Sequence, residues 1–105
     1  MTSPKAEVEL VTASWCKRCK EIKPDVQRVC GLVGVSYREV DYDDLEDDSP
    51  VKQSVTALPT IRVHLASAMP NEWRIFVPSQ LDEWRNYMMN TVAFSQSPSA
   101  VDLDF

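Results

Sequence analysis

Glycine is almost missing from this sequence: Gly31 and Gly34 are the only two in 105 residues. A calcium loop needs a glycine at its turn and a closing glutamate at a fixed offset. The acidic run Asp43, Asp44, Glu46, Asp47 and Asp48 has neither, so it reads as a solvated loop with helix-capping carboxylates. Histidine occurs once, as His64, and cysteine three times. A four-ligand zinc site on Cys16 and Cys19 would have only Cys30 and His64 to complete it, so no metal is expected. Long apolar runs are also missing. Nothing approaches the roughly 18 residues of a membrane span, and Met1-Thr2-Ser3-Pro4-Lys5 leads into a charged, alternating stretch instead of a signal-peptide block. The chain is therefore expected off the membrane, in the reducing cytoplasm. Basic clusters are scarce too: 11 Lys and Arg against 16 Asp and Glu give a net charge of −5. That balance argues against nucleic acid, whose phosphates require grouped cations. What is present is 44 % hydrophobic residues, enough for one compact core, with no internal repeat.

Chemistry concentrates in Trp15-Cys16-Lys17-Arg18-Cys19. This stretch follows an apolar run, Val8 to Val11, and precedes a stretch of helical period, so both sulfurs are expected at a strand-to-helix junction. Two cysteines separated by two residues at a helix start lie about one turn apart, close enough to bond. The first lies among unpaired N–H groups at the positive helix end, which favours a thiolate, and Lys17 and Arg18 add positive charge beside it. In a reducing compartment such a pair is more often catalytic or metal-binding than a structural staple.

In chain order, Ala6 to Val11 reads as a buried strand. Apolar positions at Cys19, Ile22, Val26, Val29 and Cys30 mark one face of a helix. Pro24 is expected to bend it into a short first turn and a longer second part, and Gly31 and Gly34 to punctuate its end. Val35 to Asp41 is a second strand. A short helix from Pro50 to Ser54 has Ser49 as its cap. Thr60 to Leu65 and Glu72 to Val77 form an antiparallel hairpin, with Pro59 marking a strand start or a cis turn. A final helix, capped by Pro78-Ser79, runs from Gln80 to Val92 with Leu81, Trp84, Met88 and Val92 on its apolar face. Cys30, Trp73 and Trp84 are expected to pack, and His64 to be structural. Residues 1–92 read as one domain and 93–105 as a flexible acidic tail.

This order of elements, α/β with one parallel crossover and a hairpin edge, resembles the thioredoxin superfamily from Ala6 to about Asn90. The tryptophan before the first cysteine, the two-residue gap, the lysine after the second cysteine and Pro24 are in thioredoxin register. Val55-Thr56-Ala57-Leu58-Pro59-Thr60 resembles the segment whose cis-proline faces the disulfide, and Gln80-Leu81-Asp82-Glu83-Trp84 resembles the last helix. The resemblance implies a three-layer fold, a mixed sheet of about four strands flanked by about three helices. It implies a dithiol at Cys16 and Cys19, with substrate contacts at Trp15, Lys17, Arg18, Leu58 and Pro59. The sequence departs from the family at Leu10, where many thioredoxins carry a buried aspartate, at Lys17-Arg18 in place of Gly-Pro, and at Pro78-Ser79 in place of a glycine-rich loop. The Gly-Gly-Asp motif with which glutaredoxins hold glutathione is missing there.

The expected activity is thiol–disulfide exchange on intracellular protein disulfides, without a cofactor. Cys16 attacks, Cys19 resolves, and a reductase or low-molecular-weight thiol restores the pair. The rivals are a non-enzymatic adaptor on the same fold and an iron–sulfur-binding glutaredoxin relative bridging two chains through Cys16. Val101-Asp102-Leu103-Asp104-Phe105 resembles the acidic, phenylalanine-ended tail with which ribonucleotide reductase small subunits dock on the large subunit. That makes the reductase a candidate target and residues 101–105 a candidate docking segment. The protein is expected to be a monomer.

Overall fold

Strand β1 (Ala6–Thr12) is the element against which the others are laid, and the computed structural model describes residues 6–92. Its even positions Ala6, Val8 and Leu10 are at most 1 % exposed and enter the main core. Helix α1 (Lys17–Val33) returns the chain toward the start of β1, as a crossover to a parallel strand requires. It stops at Gly34, whose φ of 81° lies in the left-handed region open to glycine, with its N–H donated to the Cys30 carbonyl. Gly31, expected at the helix end, lies inside it: Leu32 and Val33 are still helical before the left-handed turn. α1 is also one continuous helix across Pro24, which gives up only its own backbone bond.

Strand β2 (Ser36–Asp41) pairs parallel with β1, β3 (Thr60–Leu65) pairs antiparallel with β1, and β4 (Arg74–Phe76) pairs antiparallel with β3. The sheet order is β2-β1-β3-β4. Between β2 and β3 lie a 3-10 turn at Tyr42–Asp44 and helix α2 (Pro50–Ser54). Ser49 caps α2 as expected, its hydroxyl accepting the N–H groups of Val51 and Lys52. The hairpin partner is shorter than the expected Glu72 to Val77. Trp73 leaves the ladder and stacks on Arg62, with 4.2 Å between guanidinium and ring centroid.

After a 3-10 turn at Pro78–Gln80, helix α3 (Leu81–Tyr87) runs into a π-helical turn at Met88–Val92. Gln80 holds the start, its side-chain oxygen accepting the Val77 N–H at 3.0 Å. Trp84, Met88 and Val92 are fully buried against Val26, Val29 and Cys30 of α1 and against the even face of β1. Asp25 of α1 ties the two helices together by accepting from Arg85 Nε at 2.8 Å. The result is an α/β fold of one mixed four-stranded sheet with three α-helices, as expected. The tail proposed for 93–105 lies outside the described residues.

Candidate active site

Because β1 and β2 are parallel, both end at the same edge of the sheet, and the segments leaving the two strands meet there. After β1 the chain turns through Ala13, whose carbonyl accepts the Cys16 N–H at 3.0 Å. Cys16 is the N-cap of α1, in extended conformation, and its sulfur accepts the Cys19 N–H at 3.2 Å. A sulfur thus occupies the position where a serine or aspartate oxygen usually meets the first free N–H groups of a helix. Cys16 and Cys19 are joined as a disulfide, with Cα atoms 5.3 Å apart. Their residues are 7 % and 2 % exposed, so the outer sulfur is the one a partner can reach.

Ala13, Cys16 and Cys19 form a small core of their own, separate from the main one, and Leu58 packs against it. Leu58 precedes a cis peptide bond to Pro59, which is itself buried at the head of β3. Trp15 is 65 % exposed and stands on the other side of Cys16, fixed by its indole N–H donating to Asp43 at 2.9 Å. Asp43 is held in turn by its own N–H to Asp41 Oδ1 at 2.9 Å. Trp15, Tyr42, Val55 and Leu58 line a groove of about 280 Å³ that opens on Cys16. Lys17 and Arg18 are exposed on the first turn of α1, next to the disulfide and outside the groove lining. The structure therefore brings together Trp15, Cys16, Cys19 and Leu58, with Pro59 buried directly behind Leu58.

A second opening lies behind the first. Cys19, Thr12, Lys20, Lys23, Glu39 and Asp41 border a cleft of about 210 Å³. Lys23 Nζ meets Glu39 Oε2 at 2.6 Å, and the Tyr37 hydroxyl donates to the same oxygen at 3.0 Å. Leu10, at the position where the superfamily often has an aspartate, is a wholly buried member of the main core.

Two participants were not evident in the sequence. Asp43 belongs to the acidic run read as solvated, yet it orients Trp15; the available signal was its place just past a strand parallel to β1. Glu39 alternates along β2 like any strand residue, and only the pairing of Leu10 with Glu39 puts it on the side of α1. The third cysteine stands apart: Cys30 is in the main core, and burial pushes its thiol pKa up to about 12, leaving it protonated and inert. His64 Nε2 donates to the Met69 carbonyl, 2.8 Å away, and the ring lies against Trp73 with 5.0 Å between ring centroids. Among the described residues no group of three His, Cys, Asp or Glu side chains could hold a metal ion. No helix among them is long and apolar enough to cross a membrane.

Several solved structures share this fold. Thioredoxin from Fasciola hepatica is 24 % identical, with a TM-score of 0.63 over 83 % of this chain and 81 % of that one. Thioredoxin O2 from Arabidopsis thaliana in its oxidised state is 21 % identical, with a TM-score of 0.66 over 85 % and 76 %. Thioredoxin 1 from Thermosipho africanus is 16 % identical, with a TM-score of 0.65 over 85 % and 97 %. At such identities these likenesses show the fold alone. No curated protein matches the chain. The thioredoxin family model, however, matches residues 5–84, which include the cysteine pair, the Leu58-Pro59 bond and the start of α3. With a family match over most of its length, and a Cys16–Cys19 pair set at a helix N-terminus beside that bond, the chain belongs to the thioredoxin family.

Proposed function

We propose that this protein reduces protein disulfides, with Cys16 as the attacking thiolate and Cys19 as the resolving thiol. The observation that carries the proposal is the position of Cys16: an N-cap sulfur on the Cys19 N–H, opening on a groove walled by Trp15 and Leu58. The helix N-terminus stabilises negative charge on that sulfur, and Lys17 and Arg18 add to it. The groove suits an extended polypeptide carrying the target disulfide, laid along the Leu58 backbone with apolar side chains against Trp15. Cys16 bonds one target sulfur and expels the other as a thiolate. Cys19 then displaces the bound sulfur from Cys16, so the target gains two electrons and the protein is left oxidised. A reductase or low-molecular-weight thiol of a reducing cytoplasm returns it to the dithiol.

The finer part of the proposal concerns the target. The likeness of residues 101–105 to a ribonucleotide reductase docking tail supports that enzyme as a recipient of the electrons, with the tail raising the local concentration of Cys16. A peptide of residues 95–105 is expected to compete with the whole protein for its partner; a peptide that does not compete removes the tether.

The dithiol itself is tested by equilibrating the protein in defined thiol buffers and reading Cys16 and Cys19 by alkylation and mass spectrometry. A potential near or below about −270 mV supports a reductase. A much higher value indicates an oxidant or isomerase, and a pair that forms no disulfide at any poise indicates metal binding or an adaptor. In turnover with a disulfide substrate, C16S is expected to be inactive.

A further inference from the structure

Resting on the reading of Cys19 as the resolving thiol, its surroundings raise a proton question. To attack the mixed disulfide on Cys16, Cys19 must first lose a proton, yet its residue is 2 % exposed and its near neighbours are Ala13, Cys16 and Leu58. Burial in such company disfavours the thiolate, so the sulfur needs a base within reach or a path to water. The groove does not supply one, because its lining meets Cys16 and not Cys19. The cleft on the far side does, because Cys19 is part of its wall.

Two carboxylates border that cleft, and their partners separate them. Asp41 is engaged toward the groove, where its Oδ1 accepts the Asp43 N–H and Asp43 holds Trp15. Glu39 is engaged toward α1. Register pairs Glu39 with Leu10 and Asp41 with Thr12, in the even series of β1 that faces the helix. Lys23, which grips Glu39, is four residues after Cys19 and so on the same face of α1, one turn along. Both contacts of the glutamate, from Lys23 and from the Tyr37 hydroxyl, fall on Oε2. Among the described residues no hydrogen bond or ion pair to Oε1 is found, the Glu39 side chain is 35 % exposed, and a cleft of about 210 Å³ has room for bridging water.

We propose that Glu39, held by Lys23, exchanges the Cys19 proton through water in the cleft. On the oxidative stroke the Cys19 S–H bond breaks and its proton passes by water to Glu39. The Cys19 sulfur bonds to Cys16, the bond between Cys16 and the target sulfur breaks, and the target departs as a thiolate. When the disulfide is reduced again, Cys19 leaves as a thiolate and Glu39 returns the proton. The charged and titratable groups around Glu39 are Lys20 and Lys23 from α1 and Tyr37 and Asp41 from β2; β1 contributes Thr12, which does not titrate. The Tyr37 pKa is raised by burial and by Glu39 itself, so the hydroxyl keeps its proton and donates it in a hydrogen bond to Glu39.

The test uses the full chain, reduced and mixed rapidly with the aromatic disulfide 5,5′-dithiobis(2-nitrobenzoate) between about pH 5 and 9. The first yellow thiolate, released when Cys16 attacks, follows probe concentration; the second, released when Cys19 resolves, does not. C19S isolates the first step. E39Q is expected to leave the first step unchanged and to slow the second about tenfold near neutral pH, less than the roughly hundredfold or more of a base in direct contact because water intervenes. Its second step is expected to rise with pH throughout and to meet the unmodified protein at alkaline pH, where Cys19 ionises unaided. A side chain with a structural role only would slow release equally at every pH, and that result overturns the proposal. So does an E39Q protein with the unmodified rate and profile, or a loss that appears in D41N and not in E39Q. A chain whose Cys16 yields no first phase overturns the dithiol reading itself, which keeps the two failures distinct.

Discussion

On the face of the sheet that meets α1 and α3, Ala6, Val8 and Leu10 of β1 lie beside Ile61 and Val63 of β3 under Val26 and Trp84. On the other face of the sheet, Arg38 of β2, Glu9 of β1 and Arg62 of β3 stand side by side in one row. Glu9 takes both arginines, Arg62 through Oε1 and Arg38 through Oε2, and is 4 % exposed. Trp73 covers Arg62 from the hairpin loop. The apolar row and the Glu9–Arg62 pair are both closed to water, but by different means. The first gains from every methylene removed from solvent. The second must recover the desolvation of two charged groups through their mutual attraction before it gains anything. A buried ion pair of this kind is weak evidence of stability, yet it is costly to break on one side only.

The comparison predicts a hierarchy that urea unfolding can read. Trp84→Ala, at the centre of the apolar face, is expected to cost about 4 kcal/mol, because the transfer loss is joined by an unfilled cavity. Glu9→Ala comes next, at about 3 kcal/mol, since it strands Arg62 in a site that is 7 % exposed. The double change E9L/R62M is expected to return stability to within about 1 kcal/mol of the unmodified chain, or above it, because no charge is then left buried. If E9A alone costs less than about 1 kcal/mol, the second face is not a desolvated ionic layer and the contrast fails.

How much of this was legible in the sequence depends on the range of each interaction. The cap of α2 at Ser49-Pro50, the left-handed stop at Gly34 and the cysteine pair at the start of α1 are set within a few residues, and they were read from neighbours alone. The apolar period of the last helix likewise identified Trp84 and Met88 as core. Glu9 and Arg62 are 53 positions apart, and neither signals the other, since a charged residue in a strand normally points to water. The same holds for Trp15 with Asp43, 28 positions apart, and for Glu39 at the Cys19 cleft. Each depends on strand register, which local patterning does not specify across a crossover. The early end of the hairpin has the same origin: Trp73 alternates like a strand residue, but stacking on Arg62 removes it from the ladder.

Within the charged row, the two arginines on Glu9 sharpen the point. The Arg38 side chain is 64 % exposed, whereas that of Arg62 is 9 % exposed. Arg38→Ala is expected to cost under about 1 kcal/mol in urea unfolding, as exposed pairs do, although it removes a contact to the same carboxylate. A loss as large as that of Glu9→Ala would mean that Arg38 shields the row from water as well as pairing with it.

The apolar side has ions too, but only at its rim, and there the effect should appear as a pH dependence. Burial alone would raise the pKa of Asp25; the guanidinium groups of Arg85 and Arg28 outweigh it, and the net shift is downward from 3.8. The unfolded chain therefore holds more protons than the folded one between the two values, and stability rises with pH across that interval. The contribution is complete above the unfolded pKa and is lost as pH falls through the folded one. Its size is expected to stay below about 1 kcal/mol, since the Arg85 side chain is 38 % exposed and screened by solvent. Urea midpoints from about pH 6 down to 2.5 are expected to fall less steeply for Asp25→Asn than for the unmodified chain, and the two curves to converge at the acid end. Parallel curves over that range would show that the Asp25–Arg85 link between α1 and α3 contributes nothing, and that packing alone joins the helices on that side.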